Sequence, residues 1–151
     1  MTVSPGTIVL ELPSEAGALA VVRAAVRALA EDDRRVRLDP REIDEVQVAL
    51  QEACTNAIRH AHKGDANLRF RVEFDRLDDA LIVRVKDSGG PFDLDARREA
   101  PPESLQEGGY GIRIMKAWMD EVSLSREDDC NVLTLVRRYR SAARRPPVLV
   151  R

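Results

Sequence analysis

With 151 residues, 44% apolar and 33% charged, the chain is long enough for one domain with a sizeable core and too short for two large ones. A net charge of −2 argues against general binding to nucleic acid or to an anionic membrane surface, because neither sign dominates. No apolar run approaches the roughly 20 residues of a membrane span and no signal-peptide pattern opens the chain, so a cytoplasmic location is expected; Cys54 and Cys130 stand at no metal-binding spacing and fit free thiols.

Ile8, Leu10 and Leu12 alternate with Thr7, Val9 and Glu11, which predicts a half-buried strand closed by Pro13. Ser14 offers an N-cap for a first amphipathic helix from Ala16 to about Glu31, where Leu19, Val22, Val26 and Leu29 recur at helical spacing. A second helix start is signed by Asp39 as N-cap, Pro40 as first helical residue and Glu42 as capping-box acid, with Leu38 and Ile43 placed for a hydrophobic staple. That helix is expected to run to about His62 and to stop at Lys63-Gly64-Asp65. LRFRVEF and LIVRVK both alternate and are separated by RLDD, which predicts a β-hairpin. From Ser88 to Gly109 the chain is rich in Gly, Pro and charge, long for a loop in a compact domain. A short helix from about Gly111 to Met119 and two strands, Glu121–Arg126 and Asn131–Arg138, complete the domain, taken as residues 1–139; residues 140–151 read as a flexible basic tail. The order β-α-α-β-β-loop-α-β-β implies an α/β two-layer sandwich, a mostly antiparallel mixed sheet with helices on one face.

Three constellations carry chemistry. In EACTNAIRHA, Ile43, Leu50, Cys54, Ala57 and Ala61 form an apolar stripe, and Glu52 and Asn56, four apart, share the opposite side. A carboxylate can act as a base and an amide oxygen can ligate a hard cation such as Mg²⁺; the competing reading is a solvated helix face. His60 and His62 lack a third ligand at useful spacing and read as capping or packing residues rather than a zinc site. In DSGGPFD, Asp87 stands at a strand end where its carboxylate can accept from an adenine amino group, and glycines there let a base lie against the backbone; the competing reading is an ordinary turn. In EGGYGIRIM, Gly108, Gly109 and Gly111 lead into a helix start, a place for an anion; the competing reading is a hinge and cap. No GxxxxGK[ST] occurs, and the first glycine cluster opens no βαβ unit, so P-loop and Rossmann readings fail.

In this order and with a long loop between the last two, the motifs resemble those of the histidine-kinase-like ATPase superfamily, the Bergerat fold, and most of all the bacterial anti-sigma factor serine kinases. EACTNAIRHA is similar to the Asn box, DSGGPFD to the first Gly box and GGYGIRIMKAWMDEV to the second, over about Ile8 to Tyr139. The resemblance implies that Asn56 ligates Mg²⁺ on the phosphates of ATP and that Asp87 binds the adenine amino group. It places Gly89 by the base and Gly108, Gly109 and Gly111 around the phosphates. It makes residues from about Leu94 to Glu107 an ATP lid, and Glu52 the general base for phosphorylation of a protein serine. It further implies a serine of an anti-sigma factor antagonist of the sulfate-transporter/anti-sigma-antagonist (STAS) type as substrate, a sequestered sigma factor, and a homodimer, with no direct nucleic-acid or membrane partner.

One departure stands out. Some relatives carry a basic residue just before the second Gly box, where this chain has Gln106-Glu107, and a cation lost from developing phosphate charge weakens transfer. Arg97, Arg98 and Arg113 are candidates to replace it. The alternatives are a nucleotide-responsive partner switch with little kinase activity and a detached histidine-kinase catalytic domain; against the latter, no histidine-bearing dimerisation hairpin precedes the Asn box in this sequence.

Overall fold

The first strand, β1, spans Ile8–Pro13 and pairs antiparallel with β2, Arg69–Arg76. The structure, a computed structural model, describes residues 4–91 and 109–140. Gly108, the expected lid from Leu94 to Glu107, and residues 141–151 of the expected tail lie outside the described residues.

The remaining elements are α1 (Ala18–Asp32), α2 (Pro40–Asn56), β3 (Ala80–Asp87), α3 (Gly109–Trp118), β4 (Glu121–Glu127) and β5 (Cys130–Arg138). Among the described residues five strands lie in the order β1-β2-β3-β5-β4 and every pairing is antiparallel, so the sheet is antiparallel throughout rather than mixed: each strand runs opposite to the neighbour it bonds. This is the expected two-layer α/β architecture, with short turns joining β2 to β3 and β4 to β5.

Strand alternation divides the sheet by face. Phe70, Val72, Phe74, Leu81, Val83, Val85 and Leu135 are buried and form one core with Val22 and Val26 of α1, Val46 and Leu50 of α2, and Met115 of α3. The intervening residues carry charge: Glu73 pairs with Lys86 at 2.6 Å and with Arg71 at 3.3 Å, and Arg84 pairs with Asp75. The shift of one residue in any strand would exchange these two sets, so burial fixes the register.

The α2 start forms as its residues dictate. The Glu42 N–H donates to Asp39 Oδ1 at 2.8 Å, and the Asp39 N–H donates to Glu42 Oε2 at 2.9 Å. Leu38 and Ile43 are both buried. At its other end the expected single helix has two parts. After Asn56 the chain widens into a π-helical turn, Ala57–Ala61, in which the His62 N–H reaches back five residues to Ala57 O at 3.0 Å. Lys63 and Gly64 then take positive φ (50° and 73°), and the Gly64 N–H donates to Ile58 O at 2.8 Å, which ends the helix.

Ser14 departs from expectation. The α1 N-cap is Gly17, with no side-chain hydrogen bond, and α1 starts two residues later than the sequence suggests. Ser14 is buried instead, and its hydroxyl goes to His62. A tertiary partner has outcompeted the local capping role.

Candidate functional site

The site is built on the last turns of α2. Buried Val46, Ala49, Leu50, Ala53, Cys54 and Ala57 hold the helix against the core, and Glu52 and Asn56 sit half-buried, one helical turn apart. Among the described residues, neither side chain has a hydrogen-bond or ion-pair partner, which leaves both free to serve a ligand. Burial pushes the Cys54 thiol well above the usual range, so thiolate chemistry is absent from this helix at neutral pH.

The first turn of α3 lies directly on Glu52. Gly111 is buried, and a Cβ there would stand 2.7 Å from Glu52 Oε2 and 3.5 Å from Glu52 Cβ. The glycine therefore makes room for the carboxylate. Gly109 is the first residue of α3, so the amide end of that helix opens beside Glu52.

Asp87 ends β3, opposite Asn131 of β5. Its Oδ1 accepts from the Gly89 N–H at 2.9 Å and from Asn131 Nδ2 at 3.0 Å. Among the described residues, Oδ2 has no partner, so the carboxylate is held by one oxygen and presents the other. Asn131 is 4% exposed; its Nδ2 also donates to Gly90 O at 2.8 Å, and its Oδ1 accepts from Arg126 Nη1 at 3.1 Å. Arg126 Nη1 further donates to Gly89 O at 3.1 Å. Because Asp87 can only accept, the donor end of the Asn131 amide must face it.

Gly89 has a structural reason to be glycine. A Cβ would fall 2.6 Å from Ala61 Cβ and 2.8 Å from Ala61 Cα, so the helix end fills that direction. His62, 3% exposed, sits at the same junction. Its Nε2 accepts the Ser88 N–H at 3.1 Å, and its Nδ1 lies 2.5 Å from Ser14 Oγ.

The structure thus joins Glu52 with Gly111, and Asp87 with Gly89, and connects the two groups through Ala57–His62. Gly108 lies outside the described residues. Sequence reasoning missed Asn131 and Arg126 altogether and read His62 only as a packing or capping residue. Asn131 becomes visible only when β5 is set in register beside Asp87.

The donor set suits Mg²⁺. The Asn56 amide oxygen is a hard ligand without a protein partner among the described residues, and Mg²⁺ on a nucleotide takes one or two protein oxygens and draws the rest from phosphates and water. Among the described residues, no group of three His, Cys, Asp or Glu side chains gathers into an all-protein metal cage. No described helix is long and apolar enough to cross a membrane.

Residues 12–137 match the histidine kinase-like ATPase domain family. The chain is 31% identical over 133 residues to the serine-protein kinase RsbW of Bacillus subtilis, covering 83% of this chain and 81% of that protein. It is 32% identical over 143 residues to the RsbW of Halalkalibacterium halodurans, covering 88% and 83%. Among solved structures it is similar to the RsbU and RsbW domains of a Mycobacterium tuberculosis protein, with a TM-score of 0.62 and 22% identity, over 92% of this chain and 34% of that longer one. It is also similar to a chain of the SiaB–SiaC complex from Pseudomonas aeruginosa, with a TM-score of 0.61 and 18% identity, over 85% and 88%. These two structural likenesses share the fold.

Proposed function

The chain belongs to the histidine kinase-like ATPase domain family, and from that premise we propose that it is a serine-protein kinase that moves the γ-phosphoryl group of ATP to a serine of a partner protein. The observation that carries this reading is the Glu52 carboxylate. It is half-buried, free of partners among the described residues, pressed against Gly111 at the start of α3, and one helical turn from Asn56.

On this reading the free Asp87 Oδ2 accepts the N6-amino hydrogen of adenine, while its Oδ1 stays tied to Gly89 and Asn131. Guanine presents an acceptor at that position and is rejected. The amide end of α3, with Gly109 and Gly111, faces the phosphates, and Gly108 belongs to the same loop. Asn56 holds Mg²⁺, which supplies charge neutralisation on the phosphates. Glu52 takes the proton from the attacking serine hydroxyl as the new O–P bond forms and the bond from the γ-phosphorus to the ADP oxygen breaks. The close approach of Glu52 Oε2 to Gly111 of α3 limits the directions open to the carboxylate.

The relatives named serine-protein kinase RsbW support the choice of a protein serine over water as acceptor. The substrate then falls in the anti-sigma factor antagonist (STAS) class, and the chain acts as a homodimer that sequesters a sigma factor. The domain ends near Tyr139. A switch with little transfer activity remains the second reading, favoured by Gln106-Glu107 in place of a basic residue.

Labelled ATP and each antagonist protein encoded nearby distinguish the two. Glu52→Gln keeps shape and removes basicity, so a kinase should retain ATP and partner binding yet transfer phosphate ~10²–10⁴-fold more slowly. Inactivity of wild type toward every such antagonist replaces the kinase with the switch. Equal activity of wild type and Glu52→Gln removes Glu52 as the base.

A further inference from the structure

The junction between the α2 end and the Asp87 turn holds a histidine that the proposed reaction does not use. Both nitrogens of His62 are engaged: Nε2 with the Ser88 N–H at 3.1 Å and Ser88 Oγ at 3.0 Å, and Nδ1 with Ser14 Oγ at 2.5 Å. A ring nitrogen that accepts a backbone N–H carries no proton. The neutral ring therefore bears its hydrogen on Nδ1 and donates it to Ser14. Ser14 is 1% exposed and is anchored in turn, its N–H donating to Leu68 O at 2.9 Å beside the β1–β2 pair.

The direction of the ring depends on the π-helical turn. One extra residue in that turn rotates everything after it by about 100° relative to a continued α-helix. His62 then faces Ser88, the residue immediately after Asp87. The neighbouring contact reinforces it, since Gly89 lies against Ala61 with no space for a Cβ. The helix end thus grips two consecutive residues of the turn, one by a hydrogen bond and one by close packing.

A buried histidine that merely satisfies its own nitrogens is the plainer account, and it leaves unexplained why the partner is the residue attached to Asp87. We propose that His62 is a positioning residue for nucleotide recognition: through Ser88 it sets where the Asp87 carboxylate stands relative to Asn56 on the same helix, and so the span between the base end and the phosphate end of the site. This rests on the nucleotide reading above. It assigns His62 no contact with the nucleotide itself.

Two substitutions separate the ring's two bonds. His62→Gln brings an amide oxygen near the Nε2 position and keeps an acceptor for the Ser88 N–H. His62→Asn reaches only the Nδ1 position, keeps the bond to Ser14 and releases Ser88. Three quantities are measured on each full chain: the thermal midpoint, Mg²⁺-ATP affinity by calorimetry, and amide exchange at Ser88 and Gly89 without nucleotide. His62→Asn should exchange faster at Ser88 and bind ATP roughly two- to twelvefold more weakly, the loss of one hydrogen bond. His62→Gln should keep both within about twofold of wild type even where its midpoint falls. Equal ATP affinity in His62→Asn and His62→Gln, or losses that follow the midpoint rather than the Ser88 bond, overturns the proposal. Where His62→Asn does not fold, Ser14→Ala frees the ring at Nδ1 and should loosen Ser88 exchange and ATP binding in the same direction; no change in either overturns it. If wild type binds no ATP, the nucleotide reading fails by itself, and this positioning role falls with it, while unchanged Ser88 exchange in His62→Asn would show that His62 does not hold the turn either.

Discussion

Gly89→Ala tests the junction between helix and turn with a single methyl group. The new Cβ would lie 2.6 Å from Ala61 Cβ, 2.8 Å from Ala61 Cα and 3.1 Å from Ala61 O. Carbon atoms in contact rest at about 3.5–4.0 Å, so something must move by about 1 Å. Ala61 has no side-chain torsion to yield, and its backbone belongs to the hydrogen-bonded π-helical turn. Overpacking of this kind costs about 1–3 kcal/mol. Retreat of the turn instead would weaken the Ser88 bond to His62 (3.1 Å) and the Gly89 bond to Asp87 (2.9 Å). Each of these contributes about 0.5–1.5 kcal/mol, so both routes arrive at the same size. For a chain of this length that is a fall in Tm of roughly 2–12 °C. ATP affinity should fall with it, because Asp87 is attached to the displaced turn. Scanning calorimetry and ATP titration on the same preparation measure both. Ala61→Gly in the same chain removes the nearest atom and should recover part of the loss. A Gly89→Ala protein that melts within about 1 °C of wild type and binds ATP equally well would refute the packing argument.

Gly111→Ala should behave in the opposite way. Its Cβ meets the far end of the Glu52 side chain, whose torsions can yield, and alanine is the better helix former by about 0.5–1 kcal/mol, so Tm should hold or rise while phosphotransfer drops by up to ~10²-fold as the carboxylate is pushed aside; transfer at the wild-type rate would separate Gly111 from the chemistry. Calorimetry should show ATP bound in preference to GTP, with the Mg²⁺ dependence lost in Asn56→Ala; equal affinity for the two nucleotides would remove Asp87 from base recognition. Asp33 bears on acid stability. The Arg35 backbone N–H, then the Arg76 and Arg35 side chains, hold its carboxyl down at about 2. The folded state therefore binds fewer protons than the unfolded one. Its contribution is complete above an unfolded value of about 3.9 and is lost as pH falls from there toward about 2. The stability deficit of Asp33→Asn, followed by denaturant titration, should be present at pH 7 and vanish across that window; a deficit unchanged at low pH would mean that Asp33 acts by packing rather than charge.

The elements of this chain are written locally. Period-2 alternation in LRFRVEF and LIVRVK, helical spacing from Leu19 to Leu29, and the Asp39-Pro40-Glu42 start each fix structure through residues no more than a turn apart, and each appears as expected. The pairing of Glu52 with Asn56 is likewise legible, since four residues on a helix is one turn. What depended on tertiary structure is every contact between segments distant in sequence. Asn131 reaches Asp87 across 44 residues because β5 pairs with β3 in one register. Ser14 leaves its expected capping role for His62, 48 residues away, because both are buried where an unpaired hydroxyl or ring nitrogen is costly. The π-helical turn that aims His62 at Ser88 has no signature in the residues Ala57–Ala61 themselves. Gly89 is glycine because Ala61 is in its way, a steric fact that exists only once helix and turn have packed together.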